Sequence, residues 1–284
     1  MTHFLHSIRW PFPDRVVRKS AKRCYRTFAA YLVLIMSTAL SIPSRASAET
    51  LSVPENAPPI KVNPSQLKPA MFTWLIDVND ANGGNKMVET VYSASHQGKA
   101  VWRVVHRADD PSNKEFAFDM YDVDRTTLKP VRTIYQADQF SRSLDFQGNK
   151  VRVESKEADK TSSSEIELPA NVMPAEGPGH TLFLAALPLS TGYTSSYYVV
   201  DRWTEDEKQR VRMMNLSVQG RETIETPAGK FETFVVVEQP ASGKGSKSKH
   251  WVLAKAPHYS VRVEYTPTPG QTMLSEVTSL LIAR

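Results

Sequence analysis

From residue 71 onward the apolar positions fall into short runs of Val, Ile, Tyr, Phe, Trp and Thr, each bounded by Gly, Pro, Asn or Asp. That rhythm predicts a strand meander. Strands are expected over 71–78, 87–93, 100–107, 115–123, 131–137, 141–146, 151–155 and 164–168. Val151, Arg152, Val153 and Glu154 alternate apolar with charged, as in a sheet with one packed and one wet face. A Pro- and Gly-rich stretch over 169–180 predicts a loop, and 181–187 (TLFLAAL) the one short helix, limited by Pro188. Strands resume over 195–201, 211–219, 221–226, 231–238, 250–254, 259–265 and 273–281. No fixed-period repeat occurs, so a propeller or solenoid is not supported. So many strands in one stretch predict an all-β protein built as one large, strongly curved antiparallel sheet or open barrel; two small packed β halves are the alternative.

Ahead of this lies a different pattern. Residues 28–42 (FAAYLVLIMSTALSI) carry no charge and follow Arg9, Arg15, Arg18, Lys19, Lys22, Arg23 and Arg26. This is the basic and apolar succession of an export signal, and Ala46-Ser47-Ala48 supplies the small residues that a signal peptidase reads. The apolar run falls short of the roughly 20 residues needed to span a bilayer. The expected organisation is a signal peptide over 1–48, exported by the general secretory route and cleaved after Ala48, with the twin-arginine route and an uncleaved anchor as alternatives, then a Pro-rich linker over 49–70 and a single β domain over 71–284. The expected location is the periplasm, with a mature form that does not span the membrane.

The leader also changes the meaning of the charge. The whole chain holds 35 Lys and Arg against 30 Asp and Glu, a formal +5. Eight of those basic residues and one acidic residue belong to 1–48, which leaves 27 basic and 29 acidic, a balance of −2. A net positive field is therefore missing from the mature chain, and nucleic acid is not expected as a partner. The lone Cys24 leaves with the leader, so no disulfide, CxxC or Cys-based metal site is available.

The search for reactive groups is mostly exclusion. No GxSxG elbow is present, and no HExxH or paired-histidine spacing appears, because His96, His106, His180, His250 and His258 are dispersed. His250 and His258 are placed to meet across adjacent strands. The Asp77–Gly83 stretch (DVNDANG) fails as a calcium loop, since Ala81 takes a ligand position and no glutamate closes it. The 243–247 stretch (GKGSK) fails as a phosphate loop because Glu238 stands where its leading glycine is required. No catalytic residue, metal ligand or cofactor is assigned.

One motif has derivable mechanics. In Thr226-Pro227-Ala228-Gly229 the proline pre-sets φ for a type I turn, Gly229 supplies the left-handed residue, and Phe231 starts the returning strand. Three segments then carry a resemblance: 187–193 (LPLSTGY), 218–237 (VQGRETIETPAGKFETFVVV) and 250–265 (HWVLAKAPHYSVRVEY), with 123–130 (VDRTTLKP) upstream. In their order and in the hairpin motif they resemble the periplasmic family called domain of unknown function 3108, over most of 115–280; the Lys-rich loop at 243–249 departs from it. The resemblance implies an exported bacterial β protein with a curved sheet similar to lipoprotein carriers, and it implies no catalytic residue.

Aromatic residues remain as candidates for binding. Trp74, Trp102, Trp203 and Trp251, with Tyr193, Tyr197 and Tyr265, lie on different segments; ordinary core packing accounts for them, and if the sheet curves around a cavity they would line it, with Lys244, Lys247 and Lys249 meeting an anionic headgroup at its rim. The expected function is non-enzymatic binding or carriage of an apolar or lipidic ligand. A module that engages an envelope protein partner, and a hydrolase of envelope material using His250 or His258, are the alternatives.

Overall fold

The computed structural model describes residues 59–76, 85–108, 118–137, 139–168, 172–173, 178–200, 211–268 and 270–284. These belong to one compact unit, Thr50–Arg284. The expected leader, residues 49–58 of the linker and Trp203 lie outside the described residues.

The first arm comprises β1 (Ala70–Ile76), β2 (Asn85–His96), β3 (Lys99–Ala108), β4 (Phe118–Asp124), β5 (Pro130–Gln136), β6 (Phe140–Gln147), β7 (Lys150–Glu157) and β8 (Lys160–Glu167). The second comprises β9 (Val172–Met173), helix α1 (Pro178–Ala185), β10 (Thr194–Val200), β11 (Val211–Thr226), β12 (Gly229–Pro240), β13 (Lys247–Leu253), β14 (Ser260–Thr268) and β15 (Gln271–Ile282). All fifteen strands form a single sheet in the order β8-β7-β6-β5-β4-β3-β2-β1-β15-β14-β13-β12-β11-β10-β9. Both arms are meanders, joined where β1 pairs with β15. The fold is thus the all-β curved sheet with one short helix.

The antiparallel expectation needs one amendment. β9 pairs parallel with β10. Parallel neighbours require a crossover, and the chain between these two strands supplies one that contains α1. The stretch read as loop therefore contains a short strand and the start of a helix, which opens with Pro178, where proline's missing N–H costs nothing.

Gly220 was expected to separate two strands, yet β11 runs unbroken across it. The register shifts between Val218 and Gly220, so the glycine marks a bulge that bends the strand. The Thr226–Gly229 pair closes the predicted hairpin, with Gly229 at φ +130. Its tip is pinned where the Ala228 N–H donates to Val277 O at 3.2 Å.

The main core gathers β1–β4 and β10–β15 around α1. Leu182 to Leu187 have no exposed surface, so the helix is apolar on every side and enclosed by the sheet. A helix of eight residues is not stable alone, and burial supplies its stability. A second cluster joins Leu144, Val151, Val153 and Ile166 of β6–β8 to Val172 of β9 and Tyr198 of β10. Those strands stand at opposite ends of the sheet order, so the sheet rolls until its two ends touch through side chains.

Residues 59–69 complete the enclosure. Ile60 and Val62 pack on the main core, and the 3-10 turn Pro64–Gln66 places Gln66 at the C-terminal end of α1. There Gln66 Nε2 donates to Ala185 O at 2.7 Å and Leu187 O at 3.3 Å, Asn63 N–H to Ala186 O at 2.7 Å, and His258 N–H to Ala185 O at 3.3 Å. The last carbonyls of the helix are satisfied by neutral donors. A segment read from its prolines as linker thus forms part of the packed structure.

Candidate functional site

The first turn of α1 carries two consecutive polar residues, His180 and Thr181, that reach two buried carboxylates on different strands. On one side stands Glu238 of β12. It follows Phe234 and Val236 in the inward phase of the strand and is only 2% exposed. His180 Nε2 lies 2.6 Å from Glu238 Oε2. His250, opposite Val236 on β13, brings its Nε2 to 3.2 Å from the same oxygen. Tyr197 of β10 packs its ring on Phe183 and donates its hydroxyl to Glu238 Oε1, while Ser248 Oγ reaches Oε2 at 3.4 Å. The imidazoles of His180 and His250 sit 4.6 Å apart between centroids.

On the other side stands Glu89 of β2, also 2% exposed. It faces His106 across the β2–β3 ladder, bonds to that imidazole, and accepts from Thr181 Oγ1 at 3.0 Å. Its second oxygen, Oε1, has no hydrogen-bond partner.

Electrostatics separate the members of the first cluster. Burial alone would raise the Glu238 carboxyl, but the facing imidazoles of His180 and His250 outweigh it and hold the group well below the usual carboxylate range. Burial pushes His250 below the ordinary imidazole value against the pull of Glu238, and the nearby His180 adds to that lowering. Both ring nitrogens of His250 lack an aligned hydrogen bond, although Nε2 is close to the carboxylate. A buried, convergent set of two imidazoles and a carboxylate can hold a proton, bind a cation, or fasten the helix to the sheet.

His250 was expected to meet His258. It meets His180 instead, because His258 lies in the turn after β13 rather than on the facing strand. There its Nδ1 donates to Leu253 O at 2.8 Å and its ring stands edge-on to Phe234. The dispersed histidines of the sequence are thus partly assembled by the fold. Glu238 and Glu89 were missed by sequence reasoning, and Tyr197, read there as an aromatic of a cavity wall, serves instead as a donor to Glu238. The available signal was phase: each carboxylate falls at an inward position of its strand, where an apolar residue is the rule.

The candidate binding residues fare differently. Trp74, Trp102 and Trp251 are buried in the main core and Tyr193 packs against it. Trp251 follows His250 on β13 and so points to the opposite face. There its Nε1 donates to Glu222 Oε2 at 2.7 Å, and Lys249 Nζ lies 4.3 Å from its ring centroid. Lys244 and Lys247 are exposed at the β12–β13 connection. Among the described residues, no helix is long and apolar enough to cross a membrane.

Comparison with solved structures finds similarity at low identity only. A β-barrel-like protein of domain of unknown function DUF1849 from Brucella abortus is similar at 11% identity and a TM-score of 0.41, covering 79% of this chain and 100% of that one. The hypothetical lipoprotein YmcC from Escherichia coli K12 is similar at 12% identity and a TM-score of 0.33, covering 76% and 86%. No curated protein matches. Residues 78–275 match a family described only as a protein of unknown function, and on that match the chain belongs to the DUF3108 family.

Proposed function

We propose that this chain is an exported protein of the cell envelope, released into the periplasm after cleavage behind Ala48, that works by binding an apolar or lipidic ligand rather than by catalysis. The observation that carries the reading is the character of the enclosed helix. α1 is short, presents apolar surface on every side from Leu182 to Leu187, and has its polar fastenings at its two ends. An acyl chain supplies the same non-directional contacts. Lodged beside α1, it would lie against Phe72, Trp74 and Trp102, members of the same core, while the exposed Lys244 and Lys247 would meet an anionic headgroup.

The test is solvent extraction and mass spectrometry of protein purified from the periplasm, with titration by a fluorescent fatty acid. A lipid in stoichiometric amount and saturable binding are expected; neither lipid nor saturation overturns the reading. A second reading, docking to an envelope protein, is favoured by exposed Met71, Tyr92 and Leu281. Met71 stands directly opposite Leu281, and Tyr92 lies two residues beyond its other partner, Thr90. In-cell crosslinking from position 281 that captures no envelope protein removes it.

A further inference from the structure

We infer that His180, Glu238 and His250 form a binding site for a divalent transition-metal ion of the zinc class. The donor atoms, one from each residue, lie within 4.8 Å of one another and come from three elements: the first turn of α1, β12 and β13. Two imidazole nitrogens and a carboxylate oxygen suit such an ion, and three protein ligands leave a fourth position for water.

The geometry needs little change. Ligands at roughly 2.1 Å in a tetrahedron stand about 3.4 Å apart. The two imidazoles are already at 2.6 Å and 3.2 Å from Glu238 Oε2, so small rotations open the space for an ion. His250 is the independent pointer to a ligand. It is 5% exposed, neither ring nitrogen has an aligned hydrogen bond, and its Nε2 faces the carboxylate at 3.2 Å. A buried imidazole without an aligned hydrogen bond is costly unless something else uses it.

The surroundings are also those of a metal centre. Tyr197 donates to Glu238 Oε1, the carboxylate oxygen not shared with the imidazoles, and so fixes the orientation of the ligand from behind. His180 has 16% of its side chain exposed against 6% for His250 and 2% for Glu238, which marks the side from which an ion gains access. The inference is independent of the apolar-ligand reading. Its consequence is mechanical: an ion would tie the first turn of α1 to β12 and β13 at once.

The experiment uses the full exported chain, stripped with chelator and titrated with Zn²⁺ by calorimetry and with Co²⁺ by visible absorption. One equivalent is expected to bind, with the intense Co²⁺ bands of four-coordinate geometry and a higher melting temperature with Zn²⁺. H180Q and H250Q should each weaken binding by about 100-fold or more, and Y197F by about 10-fold, the range for a group that holds a ligand. Wild-type protein that shows neither stoichiometric binding nor a melting shift overturns the inference without recourse to variants. So does binding that H180Q and H250Q, both verified as folded by circular dichroism, leave unchanged.

Discussion

The two ends of α1 are fastened by different chemistry. At the N-terminal end, His180 and Thr181 reach buried carboxylates, and the contacts are charge-bearing: Glu238 with two imidazoles, Glu89 with His106 and Thr181. At the C-terminal end the carbonyls of Ala185, Ala186 and Leu187 receive neutral N–H donors from Gln66, Asn63 and His258. The middle is held by apolar contact alone. A neutral cap is a constant of the fold, whereas a buried ion pair responds to protons, cations and the loss of one partner. The helix therefore has one fixed end and one conditional end.

This contrast is open to direct attack. The largest effect is expected from E238A, which removes the carboxylate that His180, His250 and Tyr197 share; breaking a buried pair costs about 3–5 kcal/mol. Urea unfolding in the presence of chelator measures it, and a loss no greater than that at the C-terminal end would erase the distinction. T181V removes one hydroxyl bond to a buried carboxylate while keeping the shape of the side chain. It should cost about 1.5–3 kcal/mol, and hydrogen exchange should quicken at the first turn of α1 while its last turn stays protected.

Q66A tests the fixed end. Ala185 O keeps its second donor, the His258 N–H, so the expected cost is about 1 kcal/mol, with faster exchange confined to residues near Ala186. A larger loss than T181V would place the stronger anchor at the neutral end. The smallest effect belongs to pH. Burial lowers the His258 imidazole below its ordinary 6.5, against the pull of the Leu253 carbonyl. As pH falls through that ordinary value the unfolded chain takes up a proton that the folded chain resists, so His258 subtracts stability on the acid side. H258Q lacks this term, and the gap between its urea midpoint and that of the wild type should narrow from about pH 7.5 to about pH 5.5. A widening gap would reverse the assigned direction.

Much of the architecture was legible because alternation is local. Val151 and Val153 against Arg152 and Glu154 announce the packed face of β7, and Thr226-Pro227-Ala228-Gly229 announces its turn, since both depend on neighbours in sequence. The short helix was visible in its composition. What escaped reading depends on distance along the chain. Val172 and Met173 are too few to show a period, and their parallel partner exists only once α1 has folded back. Gly220 has the same appearance as a break or a bulge until β12 pairs across it. The polar cluster escaped for the same reason: His180, Glu238 and His250 come together only when β12 and β13 pair and α1 is enclosed. Of the aromatics that stood out in the sequence, Trp74, Trp102 and Trp251 are buried in the core, Tyr193 packs against it, and Trp203 lies outside the described residues.

The placement of β1 beside β15 has a mechanical meaning. Ala70, the first residue of β1, stands opposite Ile282, the last of β15, and the Ala283 N–H donates to Pro69 O at 2.9 Å just beyond them. A load applied across these flanking segments meets the ladder end-on and parts it one bond at a time, like a zip, instead of shearing every bond together. Each meander keeps its own local pairing as the seam opens. Tension at this point would therefore act first on the seam between the two arms, while the hairpin ladders within each arm stay paired.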